Sequence, residues 1–192
     1  MQTDASTVYQ RHRWTVEEYH RLGEVGIFRE DDRVELIEGE IIEMPPIGSK
    51  HADCVDRLAA QLIKSVGDQH RVRVQNPLQL GQYGEPEPDI AIVKNKNYFE
   101  AHPDAPDVLL IIEVADTTLR YDWDIKVPLY ARHGIPEVWI IDLEDQRLHL
   151  FCKPSISSYQ EMVTFEQPSM MAPVQLPECK VDLTGLFGGS SG

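Results

Sequence analysis

Cysteine is scarce in this chain: Cys54, Cys152 and Cys179 are an odd set without paired metal-ligand spacing, which excludes a disulfide framework and a cysteine-built zinc site. Long hydrophobic runs are missing as well, none approaching the ~20 consecutive apolar residues of a membrane span. The first residues, Met1 to Arg13, are polar and lack the pattern of a signal peptide, so a cytoplasmic protein without membrane attachment is expected. Positive charge is the third shortage, with 18 Lys and Arg against 32 Asp and Glu and a net charge of -14. Phosphate binding normally leaves a basic footprint, and the total here argues against one. Only a local basic face is left open, for which Arg11-His12-Arg13, Arg71 and Arg73 are the candidates.

What is present is ordinary globular material, 42% hydrophobic and 26% charged over 192 residues, enough for one domain with a full core. The boundaries read as a flexible N-terminus over 1–13, a single domain over 14–187, and a low-complexity tail over 188–192.

Thr15-Val16-Glu17-Glu18 is a capping box that opens a short helix ending near Gly23 or Gly26. Val34 to Ile37 and Glu40 to Met44 flank Glu38-Gly39 as a hairpin. Ser49 is expected to cap a helix reaching about Val66, with Val55, Leu58, Ala59, Leu62 and Ile63 on one face. Arg71 to Gln75 alternates like a half-buried strand, Asp89 starts a second, and Asp107 to Val114 is the most apolar and therefore the central one. Between the last two lies a polar loop with a helical turn around Tyr98. Residues 121–133 form a helix in which Pro128 removes a hydrogen bond, so it either kinks there or becomes regular near Val127. Gly134 ends it, and Glu137 to Asp142 and Arg147 to Cys152 form a further hairpin, with Trp139 in the core and Asp142 at the turn. Strand, helix, strand in that order predicts a crossover with parallel pairing.

The informative feature is a pair of carboxylates at strand ends. Asp89 follows Pro88 and opens Ile90-Ala91-Ile92-Val93, while Glu113 closes Val108-Leu109-Leu110-Ile111-Ile112. Carboxylates there are costly unless a cation or hydrogen-bond donors compensate them, and two at adjacent strand ends suggest a divalent-metal site. Mg²⁺ takes oxygen ligands and keeps several waters, so two carboxylates and a backbone carbonyl suffice.

Pro88-Asp89, Glu113-Val114 and then Lys126 resemble the PD-(D/E)xK nuclease superfamily. More narrowly, Glu113-Val114-Ala115-Asp116-Thr117-Thr118, Asp124, Lys126, Tyr130 and Gly134 to Asp142 are similar to the Uma-type restriction endonuclease family. Glu35-Leu36-Ile37-Glu38-Gly39-Glu40-Ile41 and the helix near His51 fit it too, so the resemblance spans about Trp14 to Phe151. It implies an α/β restriction endonuclease-like fold, a mixed central sheet flanked by helices, and hydrolysis of DNA phosphodiesters by an Mg²⁺ enzyme for which Mn²⁺ can substitute. It further implies metal ligation by Asp89, Glu113 and the Val114 carbonyl, catalysis by Asp89, Glu113 and Lys126, and a homodimer cutting two strands. Two departures are visible. Ala115 occupies the superfamily's usual lysine position, two residues after the glutamate, so Lys126 supplies the charge from the following helix, as is typical of Uma-type members. Asp116 stands where the family pattern has serine.

Each residue also has a plainer role open to it. Asp89 can cap a turn, Glu113 can pair with Lys126 or Arg120, and Lys126 can be a solvated lysine beside Asp122. Glu35, His51 and Asp116 are candidates for support around the metal, with a solvated strand face the plainer reading of Glu35 and Glu40 and a surface position that of His51. The functional alternative is an oligomeric interaction module that kept the fold and lost efficient nuclease activity. The acidic total and Asp116 favour it; the intact Asp89, Glu113 and Lys126 set opposes it.

Overall fold

Thr15 opens the first helix as its sequence demands: its hydroxyl accepts the Glu18 N–H at 3.2 Å while the Glu18 carboxylate accepts the Thr15 N–H at 3.0 Å. In this computed structural model, which describes residues 10–29 and 31–187, α1 (Val16–Glu24) follows. The 188–192 tail and most of the 1–13 segment lie outside the described residues. Next come β1 (Val34–Ile37) and β2 (Glu40–Glu43), joined by Glu38 and Gly39 at φ +52° and +84°. Two left-handed residues are what a tight two-residue hairpin requires. A side chain at Gly39 would also strike Arg13, whose Cβ lies 2.7 Å from where its own would be.

Helix α2 (Ser49–Val66) has Gly48 at its cap position, so Ser49 is the first helical residue rather than the cap. Cys54, Val55, Leu58, Ala59, Leu62 and Val66 are buried, and Ile63, expected with them, falls at the edge of the stripe and stays 56% exposed. The chain continues as β3 (His70–Val74), β4 (Ile90–Lys94) and β5 (Val108–Ala115). The helical turn expected near Tyr98 lies instead at Ala105–Asp107, directly ahead of β5. After β5 come α3 (Leu119–Tyr121), a π-wound turn (Asp122–Lys126) and α4 (Val127–Arg132). Here the Pro128 conflict is resolved: the Val127 N–H reaches the Asp122 carbonyl five residues back, and Pro128 sits in the first turn of α4, where no N–H is needed. Gly134, at φ +75°, then ends α4.

Strands β6 (Glu137–Asp142), β7 (Arg147–Pro154) and β8 (Tyr159–Glu166) complete a six-stranded sheet of order β3-β4-β5-β6-β7-β8. Only β5 and β6 pair in parallel, across the α3–π–α4 crossover. The fold is therefore α/β with a mixed sheet. Strand β8 and the short pair β9 (Met170–Met171) and β10 (Val181–Asp182) lie past the last element read from the sequence. Both sheet faces are covered, which is why the central strands are almost continuously apolar. Ile90, Ile92, Leu110, Ile112, Val114 and Trp139 pack with α2, whereas Ala91, Val93, Ile111, Ala115, Val138 and Ile140 pack with α4. Asp142 accepts the N–H groups of Glu144 and Asp145 and so starts the β6–β7 turn. Among the described residues no helix is long and apolar enough to cross a membrane.

Candidate active site

Antiparallel register sets Ile90 of β4 opposite Ile112 of β5, and so brings Asp89, one residue before β4, alongside Glu113 and Val114. The Val114 N–H donates to Asp89 Oδ2 at 2.8 Å. Strand alternation sends Ile112 and Val114 to the α2 face and Glu113, with Ile111 and Ala115, to the α4 face. That is where Lys126 waits. Its Nζ lies 3.3 Å from Glu113 Oε1 and 3.2 Å from Glu35 Oε1, all three residues being at most 2% exposed. Tyr130, four residues further and on the same helical face, donates its hydroxyl to Glu113 Oε1 at 2.5 Å.

The opposite wall comes from α2. His51, in its first turn, is 3.0 Å from Asp89 Oδ2 through Nε2, and Gln75 donates to Asp89 Oδ1 at 3.2 Å. His51 Nδ1 and Glu35 Oε2 are buried without a hydrogen-bond partner.

Glu35, His51, Asp89, Glu113, Val114, Asp116 and Lys126, all singled out in the sequence, line one cavity of about 70 Å³. His51 is no surface residue and Glu35 no solvated strand residue. Glu40 does stay outside, exposed and 3.8 Å from Arg11. The Glu113–Lys126 ion pair exists, and Lys126 is buried rather than solvated, while Arg120 pairs with Asp124 at 3.3 Å. The proposed basic face does not form here, for none of Arg11, His12, Arg13, Arg71 and Arg73 lines this cavity. Arg13 stacks on Tyr83 and donates to the Glu38 carbonyl, and Arg71 and Arg73 lie beside Tyr98.

Several participants were not given a role by the sequence. Gln75, Asp122, Glu87 and Arg33 surround the carboxylates, and Tyr130 holds Glu113. Asp122 and Tyr130 had a local signal, each standing four residues from Lys126, and for Asp122 it was read as a surface pairing.

Charge is unevenly balanced. Six carboxylates, Glu35, Glu87, Asp89, Glu113, Asp116 and Asp122, line a cavity whose permanent cations are Lys126 and Arg33. Burial raises the Glu113 carboxyl well above the usual carboxylate range despite the Lys126 ammonium opposing it. Burial likewise lifts Asp122 to about 6, against the pull of Lys126 and the Thr118 hydroxyl. Burial acts on Asp89 in the same direction, but the His51 hydrogen bond and the Val114 amide outweigh it and hold that carboxyl below its ordinary value. For Lys126 burial favours the neutral amine, and Glu113, Glu35, Asp122 and Asp89 together overcome it, so the ammonium stays charged.

These donors fit a hard divalent cation. The excess of carboxylate and the unpartnered Glu35 Oε2 both call for positive charge. Among the described residues no three His, Cys, Asp or Glu side chains gather as a ready metal cage. Asp89 and Glu113 with backbone oxygen and retained water make a set that suits Mg²⁺ better than zinc.

Asp122 gives the site a pH signature in metal-free protein. Its stabilising contribution is present below the unfolded value near 3.8 and is lost as pH rises through about 6. Asp89 acts oppositely, its contribution being lost as pH falls below the ordinary carboxylate value. Asp122→Asn is therefore expected to raise the melting temperature near pH 7.5 in EDTA and to flatten its dependence between about pH 4 and 6. Thermal melts across that range decide it, and a variant with the wild-type slope contradicts the assignment.

A mixed sheet with two carboxylates at the ends of paired strands and a lysine over them is the restriction-endonuclease type of α/β fold. The family model Uma2, described as "Putative restriction endonuclease", matches residues 16–184, and the chain belongs to that family. The match runs beyond the resemblance read to Phe151, taking in β8, β9 and β10. Among solved structures, the chain is similar to one described as a "putative nuclease belonging to DUF820" from Anabaena variabilis ATCC 29413. The TM-score is 0.67 at 19% identity, over 90% of this chain and 97% of that one, a likeness of fold. No curated protein matches the chain.

Proposed function

We propose that this protein is a divalent-metal-dependent endonuclease that hydrolyses phosphodiester bonds of DNA, with Mg²⁺ as its ion and Mn²⁺ as a substitute. The observation that carries the reading is the convergence of Asp89 and Glu113 on paired strands beneath a charged, buried Lys126, in a cavity with more carboxylates than cations.

Asp89, Glu113 and the Val114 carbonyl would hold the ion, which supplies Lewis-acid charge for a phosphate oxygen and acidity for an attacking water. The chain's own part is positioning. His51 and Gln75 fix both oxygens of Asp89, and the Tyr130 hydroxyl orients Glu113. Glu35 and Glu113 hold the Lys126 ammonium in one place, where it can stabilise charge that develops on the phosphate without reorganising. Asp116 and Thr117 border the cavity, and the added acid there narrows the approach to phosphate.

A single catalytic domain over 14–187 follows from this reading, working in the cytoplasm, where free thiols such as the buried Cys54 persist. One site cuts one strand, so a homodimer is proposed for double-strand cleavage. Light scattering should give twice the 21.9 kDa chain mass; a monomer throughout the micromolar range contradicts it.

Supercoiled plasmid tests the function itself. Nicked and linear products are expected with Mg²⁺ or Mn²⁺ and none in EDTA. The net charge of -14 favours the alternative of a non-catalytic interaction module. Folded protein that leaves plasmid intact with either ion would overturn the nuclease reading and favour that alternative.

A further inference from the structure

We infer that Arg33 is the substrate-anchoring residue of this site, its guanidinium gripping a DNA phosphate next to the one being cleaved. The inference rests on the nuclease reading above and goes beyond its catalytic set.

The cavity is the first argument. At about 70 Å³ it has room for a few waters. It is far below the roughly 300 Å³ at which small-molecule pockets begin, so nucleosides must stay outside while a phosphate reaches in. The strand is therefore held at the mouth. The mouth is hostile to it, since Glu87 and Asp116, both partly exposed, line the cavity beside the ligand carboxylates.

Arg33 is the one exposed permanent cation among the lining residues, Lys126 being buried and committed to Glu35 and Glu113. Its position is set by the strand it precedes: Arg33 stands just before β1, two residues from Glu35, and both line the cavity. The guanidinium is steered by one NH1 contact to the Pro45 carbonyl at 2.6 Å. Among the described residues no carboxylate lies within ion-pair distance of it, unlike Arg11, Arg120 and Arg132. Among the described residues its other donors have no hydrogen-bond partner, which suits a planar, two-pronged grip on phosphate oxygens. None of Arg11, Arg13, Arg71 and Arg73 can replace it, because none lines the cavity.

Binding and turnover separate this role from a merely structural one. Fluorescence anisotropy with a labelled duplex oligonucleotide, in Ca²⁺ and in EDTA across a salt series, is compared with plasmid cleavage in Mn²⁺. Arg33→Ala should weaken binding on the order of tenfold in both buffers and lower the salt slope by about one phosphate contact. KM should rise by a similar factor with kcat within about twofold. Arg33→Lys should keep the slope and recover most of the affinity, since a point charge still meets phosphate. If the guanidinium merely props the Pro45 turn, kcat falls, the salt slope stays and lysine does not rescue; that result overturns the inference. Wild-type binding by Arg33→Ala in a protein that still nicks plasmid also overturns it and leaves the nuclease reading standing. Wild-type protein that neither binds nor nicks DNA removes both.

Discussion

Lys126→Met is expected to cut plasmid nicking by about 10² to 10³, the scale of losing one preorganised charge or donor in a closed site, and to destabilise the protein as well. From the sequence, a lysine on a helix is expected to matter for catalysis and little for stability. Its burial changes that expectation. With the ammonium gone, Glu35 and Glu113 face each other at 2% exposure without a cation. Breaking a buried pair by removing one partner costs about 3–5 kcal/mol. The loss should shrink as pH falls, because Glu113 is already biased by burial towards its protonated form. Adding Glu35→Gln to Lys126→Met should recover stability without recovering activity, which separates the two roles. Calorimetric Mn²⁺ binding should persist, since no ligand is lost. A Lys126→Met protein that melts and nicks like wild type would make the ion pair incidental and leave the site without its electrophile.

Asp89→Asn is expected to abolish Mn²⁺ binding by calorimetry and plasmid nicking with it, in a protein that keeps its fold. Asparagine is the informative change because its carbonyl can still accept the buried Val114 N–H that Asp89 Oδ2 now accepts at 2.8 Å. Asp89→Ala should lose the metal equally. It also leaves that N–H unpaired, at about 1–3 kcal/mol, a cost offset in part by relief of carboxylate repulsion. Folded Asp89→Asn that binds Mn²⁺ with wild-type affinity would end the metal assignment, since Asp89 is one of only two carboxylates proposed as direct ligands.

The chain's local chemistry was legible wherever a residue's own neighbours decide its conformation. The Thr15–Glu18 box, the Glu38-Gly39 turn and the apolar purity of Val108 to Ile112 each state their structure within a few residues. Pro128 showed that something irregular must happen near Val127, though not that the irregularity would be a π-turn carrying Lys126. Ile63 marks the limit, since its burial depends on how wide the surface beneath α2 is. Strand β8 is mostly exposed, and so lacks the strong pattern of a central strand.

By itself the sequence determined the class of fold and the two acids at the strand ends, because a carboxylate that interrupts or borders a buried apolar strand has few structural excuses. It also determined that any DNA binding must work against an acidic chain. The tertiary structure alone decided what surrounds those acids. Glu35 and Lys126 are separated by 91 residues, His51 and Asp89 by 38, and Arg33 reaches the cavity from a different hairpin. No local pattern distinguishes these side chains from solvated ones. Their burial, protonation and pairing arise only when three separate elements close on one strand end and exclude the water that would otherwise screen them.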